Sequence, residues 1–119
     1  MKHTVIIALG SNYLQTAHIH WATERLTYLL QDSILSRTLW TPDIKGGKLW
    51  YMNRLVRGTT TLSSAALQQL LKNIESETAR TPQRVTLDLD ILLFDQTIYH
   101  EKDWQRTYVS AIINDVQQK

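Results

Sequence analysis

The chain contains no cysteine, which excludes disulfide staples and thiolate metal centres and agrees with a reducing compartment. Proline and glycine are scarce, at two and four residues in 119, so no Pro/Gly-rich linker divides the chain. A single domain spanning residues 1–119 is expected. Charge of one sign is not concentrated either. Thirteen Lys and Arg stand against eleven Asp and Glu, a formal net charge of +2, and the basic residues are scattered, so no nucleic-acid surface is expected. No apolar run approaches the length of a membrane span. The opening "MKHTVIIALGSN" has one lysine and an apolar stretch cut off at Gly10, which is short for a secretory signal. A cytoplasmic protein without a membrane partner is the expectation, with oligomeric state left open. What is present is apolar content of 43%, enough for one core without staples.

Periodicity supplies the elements. "HTVIIAL" (3–9) is β-branched and apolar and predicts a first strand ending at Gly10. Leu14, Ala17, Trp21, Ala22, Leu26, Leu29 and Leu30 recur at helical spacing and predict a helix to about Leu30. Residues 33–40 predict a second strand, 41–49 a loop marked by Pro42, Gly46 and Gly47, and 50–61 a long third strand. A serine at 63 or 64 caps a second helix, with Ala66, Leu67, Leu70, Leu71 and Ile74 on one side and a break at 80–83. A fourth strand is predicted at 85–93, and from about Asp103 the spacing of Tyr108, Ala111, Ile112 and Val116 fits a last helix. The order β-α-β-β-α-β plus a C-terminal helical element implies an α+β fold. It is a ferredoxin-like sandwich, an antiparallel sheet with both crossover helices on one face.

The fourth strand, "TLDLDILLF" (86–94), holds two aspartates amid apolar residues. Alternation places Val85, Leu87, Leu89, Ile91 and Leu93 on the helix-facing side. Thr86, Asp88, Asp90 and Leu92 take the side that the helices leave open. The two aspartates are same-face neighbours with β-carbons roughly 6.5–7 Å apart. Two like charges that close repel, and aspartate is disfavoured in strands. A hard cation such as Mg²⁺, held by one or two carboxylates and completed by water and phosphate oxygens, reverses that cost. The pair is expected on a strand hydrogen-bonded along both edges. His18 and His20 point apart on a helix and are not read as a metal site.

Several segments together resemble one family, 6-hydroxymethyl-7,8-dihydropterin pyrophosphokinase. "ALGSN" (8–12) is similar to its opening strand and turn, "SRTLW" (36–40) to its S-x-x-Y-R-T-P region and "YMNRLV" (51–56) to its third strand. "IESETAR" (74–80) resembles its second helix end, and "TLDLDILLF" its most specific signature. The resemblance covers nearly the whole chain. It implies transfer of the β,γ-pyrophosphoryl group of ATP, the co-substrate, to the pterin hydroxymethyl, giving AMP. It also implies two Mg²⁺ ions on Asp88 and Asp90, an arrangement that needs no strong protein nucleophile. Residue by residue, it implies that Asn53 bonds the pterin edge, that Tyr51 and Tyr108 cover its ring, and that Thr38 contacts it. Arg106 and His100 would meet the phosphates, and Arg106 would act in catalysis with the two aspartates. Glu75 and Arg80 would lie near ATP and the pterin–metal region, and Arg84 on the ATP side. Gly10-Ser11-Asn12 would shape a turn beside the pterin.

The chain also departs from the family pattern. "RTPQRV" (80–85) is short and lacks tryptophan, and Val85 stands where the signature arginine belongs. The family's T-P pair is read as Thr38-Leu39, and Arg54 falls on the helix-facing side of its strand. These departures fall on the ATP side and are expected to weaken nucleotide binding or slow transfer. The competing reading is a paralogue that binds a pterin-like heterocycle without efficient transfer. An RNA-binding sheet ranks last, because the aspartates oppose it.

Overall fold

The computed structural model describes residues 1–43 and 46–117. Its strands are β1 (His3–Ser11), β2 (Gln31–Leu35), β3 (Leu39–Pro42), β4 (Trp50–Thr60), β5 (Asp88–Phe94) and β6 (Thr97–Ile98). Its helices are α1 (Gln15–Leu29), α2 (Ser64–Ser76), α3 (Glu101–Trp104) and α4 (Thr107–Ile112), followed by a 3-10 turn at Ile113–Asp115. The strands form one antiparallel sheet in the order β2-β4-β1-β5-β6, with β3 also paired to β4. This is the expected ferredoxin-like arrangement. β1 and β4 lie inside the sheet and pair along nine residues, from His3–Thr60 to Ser11–Met52.

Both crossover helices pack on one face, as alternation requires. Val5, Ile7 and Leu9 of β1 meet Ile19, Ala22 and Leu26 of α1 and Leu67, Leu71 and Ile74 of α2. Ser63 caps α2, its hydroxyl accepting the Ala66 N–H at 3.2 Å. Arg54 does fall on this side. Its Nε donates to the Ser36 carbonyl at 2.9 Å and an Nη to Thr23 Oγ1 at 3.3 Å. Burial lowers its pKa below the ordinary value.

The opposite face is less open than expected. The C-terminal element lies across it, burying Val109, Ile112 and Val116 against Ile6, Ala8, Leu55 and Leu92. Two arginines fasten that element to the sheet. Arg37 donates to the Ala111 carbonyl at 2.7 Å, and its backbone N–H to Asp115 Oδ2 at 3.0 Å. Arg57 donates to the Val116 carbonyl at 3.3 Å. These are cations on the last carbonyls of a helical segment, where the backbone dipole favours them.

Four local readings need correction. The predicted strand 33–40 is two strands, β2 and β3, separated by residues 36–38, where Ser36 turns in to bond the Leu55 N–H at 2.8 Å. Thr41 and Pro42, assigned to the loop 41–49, belong to β3, while positions 44 and 45 of that loop lie outside the described residues. The fourth strand begins at Asp88 rather than at 85. Alternation therefore does not govern Val85 and Thr86. Thr86 is buried, with its hydroxyl 2.6 Å from that of Thr78. Leu93 also sits on the wrong side of the expected pattern. A bulge between the Ile6–Leu93 and Ile7–Ile91 pairs inserts Leu92 as an extra residue. Both Leu92 and Leu93 then pack under the C-terminal element.

Candidate functional site

The sheet face left uncovered by the C-terminal element holds a cavity of about 450 Å³. Its floor comes mainly from strand positions of one parity, Ala8 and Gly10 of β1, Tyr51 and Asn53 of β4, and Asp88 and Asp90 of β5, with Leu9 of β1 also in the lining. Register brings them together. Gly10 pairs with Asn53 on one side and Asp88 on the other, and Ala8 pairs with Asp90. Thr41 and Pro42 form one wall, Arg80 and Val85 another, and Asp103, Arg106 and Tyr108 a third.

Asp88 and Asp90 thus face the expected side. Asp90 is the more enclosed, and burial, reinforced by the Asp88 charge, pushes its carboxyl up to about 7. His100, 3.9 Å from Asp90 Oδ1, acts against that rise. The strand is not paired along both edges here, contrary to expectation. Among the described residues β1 holds one edge, while β6 covers the other only at Leu93 and Phe94. Side chains complete the outer edge: Glu75 Oε2 accepts the Leu89 N–H at 2.6 Å, and Arg80 donates to the Leu87 carbonyl at 3.5 Å. Burial raises the pKa of Glu75, an effect that the Leu89 bond opposes.

Asn53 is buried, its amide nitrogen donating to Thr41 Oγ1 at 2.8 Å and to the Leu39 carbonyl at 3.3 Å. Tyr51 lies beside it, its phenol pKa raised first by burial and then by Asp43 and Asp88. Tyr108 enters from α4, and burial pushes its phenol up to about 12. Gly10 keeps the floor low between Tyr51 and Asn53. A Cβ at Gly10 would lie 3.7 Å from Asn53 Oδ1 and 3.8 Å from Tyr51 Cδ2, in ordinary contact with both. Gly10→Ala is therefore expected to keep the fold, with a melting temperature close to that of the parent, while a flat ligand on this floor loses about tenfold in affinity. Calorimetric titration alongside thermal melting checks the split. Unchanged affinity would place the ligand elsewhere.

The other predicted residues are less uniform. Arg80 lines the cavity, 3.6 Å from Asp88 Oδ1 and 3.8 Å from Glu75 Oε1. Arg106 lines it too, with Nε 2.9 Å from Asp103 Oδ1. Glu75 and His100 stand behind the lining residues Arg80 and Asp90. Arg84 does not reach the cavity, because its guanidinium stacks 4.4 Å from the centre of the Tyr13 ring. Thr38 is exposed in the break between β2 and β3 and is not a lining residue. The T-P pair that lines the cavity is Thr41-Pro42, three positions later, and the literal dipeptide in "LWTP" was the signal that could have found it. Asp43, Asp103 and Gln105 are further lining residues that periodicity did not single out. His18 bonds the Tyr13 carbonyl oxygen at 2.7 Å, and His20 pairs with Glu24 at 2.6 Å.

The donor set suits a hard cation shared with a ligand. Among the described residues no three His, Cys, Asp or Glu side chains are grouped to enclose a metal. Asp88 and Asp90 offer carboxylate oxygens that could hold a divalent ion, which would relieve their mutual repulsion and would need further oxygens from ligand or water. No helix among the described residues is long and apolar enough to cross a membrane.

A model of the 7,8-dihydro-6-hydroxymethylpterin-pyrophosphokinase (HPPK) family matches residues 6–118. No curated protein matches the chain.

Proposed function

The chain belongs to the 7,8-dihydro-6-hydroxymethylpterin-pyrophosphokinase family, and on that premise we propose that it transfers pyrophosphate from ATP to 6-hydroxymethyl-7,8-dihydropterin. The observation that carries the reading is the meeting of a carboxylate pair, an aromatic-and-amide floor and two arginines in one cavity. In the transfer an O–P bond forms between the pterin hydroxyl oxygen and the β-phosphorus. The bond from that phosphorus to the α,β-bridging oxygen breaks, AMP departs and the hydroxyl proton is released. This chemistry depends on alignment and charge neutralisation more than on a protein nucleophile.

Asn53, fixed by Thr41 and the Leu39 carbonyl, orients the heterocycle edge. Tyr51 and Tyr108 supply flat apolar contact for the ring. Thr41 takes the place that the resemblance gave to Thr38. Asp88 and Asp90 would hold Mg²⁺, which supplies charge neutralisation of the phosphates when bound. Arg80 and Arg106 meet phosphate oxygens at the rim, each contact contributing about 1.5–3 kcal/mol. His100 orients Asp90, while Arg84, committed to Tyr13, contributes to the loop rather than to the nucleotide.

The test is incubation of the protein with ATP, Mg²⁺ and the dihydropterin, followed by chromatography for AMP. AMP formed only when all three are present supports transfer. Pterin binding by calorimetry without AMP would instead favour a binding protein, and absence of both would sink the assignment.

A further inference from the structure

Strand β5 carries the two cavity carboxylates but has a strand neighbour on one side only where they stand. Asp88 and Asp90 face Gly10 and Ala8 of β1, so β1 fixes those two residues. Leu89, between them, turns its N–H the other way, and among the described residues no strand pairs with it there. An unpaired amide at a partly buried edge is unfavourable and leaves the strand free to twist. The Glu75 carboxylate meets it from α2 at 2.6 Å, through Oε2. Its other oxygen, Oε1, lies 3.8 Å from the Arg80 guanidinium. That guanidinium in turn stands 3.6 Å from Asp88 Oδ1 and donates to the Leu87 carbonyl at 3.5 Å. One acidic side chain therefore engages both the backbone between the carboxylates and the cation beside them. Glu75 itself is not a cavity-lining residue.

We propose that Glu75 is a positioning residue. It stands in for a neighbouring strand on the outer edge of β5, fixes Leu89 so that Asp88 and Asp90 keep a set separation, and holds Arg80 at the rim. Its place in the reaction rests on the pyrophosphoryl-transfer reading, whereas its effect on the carboxylate pair does not. The resemblance placed Glu75 among residues near ATP and the pterin–metal region. The geometry points instead to an action through Leu89 and Arg80.

Two substitutions separate a strand surrogate from a direct contact. Glu75→Gln keeps an oxygen acceptor for the Leu89 N–H but removes the charge. Glu75→Leu fills similar volume and offers no acceptor. Three measurements are made on each folded protein: hydrogen exchange of the Leu89 amide, Mn²⁺ titration by electron paramagnetic resonance, and steady-state transfer. Glu75→Gln is expected to keep Leu89 protected and Mn²⁺ affinity within about threefold. Glu75→Leu is expected to lose that protection and about 10- to 100-fold in Mn²⁺ affinity, the range found when partners of metal-holding groups are removed. kcat should fall more than KM for the pterin rises. Equal losses in the two variants would overturn the proposal, since charge rather than the acceptor would then matter. So would a Glu75→Leu protein with unaltered Mn²⁺ affinity. The exchange and Mn²⁺ measurements use neither ATP nor pterin, so a parent protein that forms no AMP would sink the reaction assignment and leave this test intact.

Discussion

Asp90→Asn is expected to lower Mg²⁺-dependent AMP formation by about 10²- to 10³-fold, a scale typical of removing one preorganised electrostatic group, and at the same time to stabilise the metal-free protein at alkaline pH. The second effect follows from the environment of the carboxyl. Burial and the neighbouring Asp88 hold it near 7, above the value of about 3.9 expected in the unfolded chain. Between those values the folded protein binds more protons than the unfolded one, so stability falls as pH rises. The contribution is fully present below about pH 4 and is lost as pH passes through about 7. Asparagine has nearly the same shape and never ionises. Melting temperatures measured without metal at about pH 5 and about pH 8 should therefore differ less in Asp90→Asn than in the parent. The same reasoning predicts proton release when Mg²⁺ and ATP bind near neutral pH. Full activity in the variant would remove Asp90 from the site, and a variant that is less stable at about pH 8 would contradict the repulsion between the two carboxylates.

Ile112→Ala should be the most damaging single change to the less extensive of the two apolar layers. Ile112 is fully buried between α4 and the sheet, among Ile6, Leu55 and Leu92. Truncation there is expected to cost about 2–5 kcal/mol in equilibrium urea unfolding. The loss is not confined to stability, because Arg106 and Tyr108 ride on the same element. Pterin affinity should fall by about tenfold even where the protein remains folded, since the element then spends part of its time off the sheet. A control in the other layer, Leu71→Ala, should lose comparable stability with less effect on the ligand. Equal effects on ligand affinity from both substitutions would show that the C-terminal element does not define the cavity wall.

The expectations that rested on alternation hold wherever the strands are regular. Tyr51, Asn53, Asp88 and Asp90 all face one side, since a two-residue period is set by the backbone itself. Alternation failed where the backbone departs from a ladder. The bulge at Leu92 swaps the side of Leu93, and no composition marks it, because any apolar residue fills the extra position. The break at residues 36–38 is created by Ser36 bonding β4, a tertiary contact between segments far apart in sequence. For the same reason Thr38 lies off the cavity that Thr41 lines. Helical spacing found the C-terminal element, but not the face it covers. That involves Arg37 and Arg57, which bond the Ala111 and Val116 carbonyls, and the Arg37–Asp115 pair, contacts between segments far apart in sequence. The half-bare edge of β5 was equally illegible, because strand order emerges only when all pairings are in place.

The outer edge of β4 has a consequence for solubility. Two short strands share it, β2 along one part and β3 along another, with residues 36–38 between them. Asp32 takes a positive φ of 55° in a register shift of β2, and β3 ends at Pro42, which has no N–H to donate. A flat, continuous border would be a template on which another molecule could add a strand, the first step towards fibrils. This border is interrupted at residues 36–38, shifted in register within β2 and without a donor at Pro42, so the exposed Trp40 and Trp50 do not lie on one continuous ladder. Irregularities that made the segment hard to read from sequence thus make this one border a poor template for strand addition.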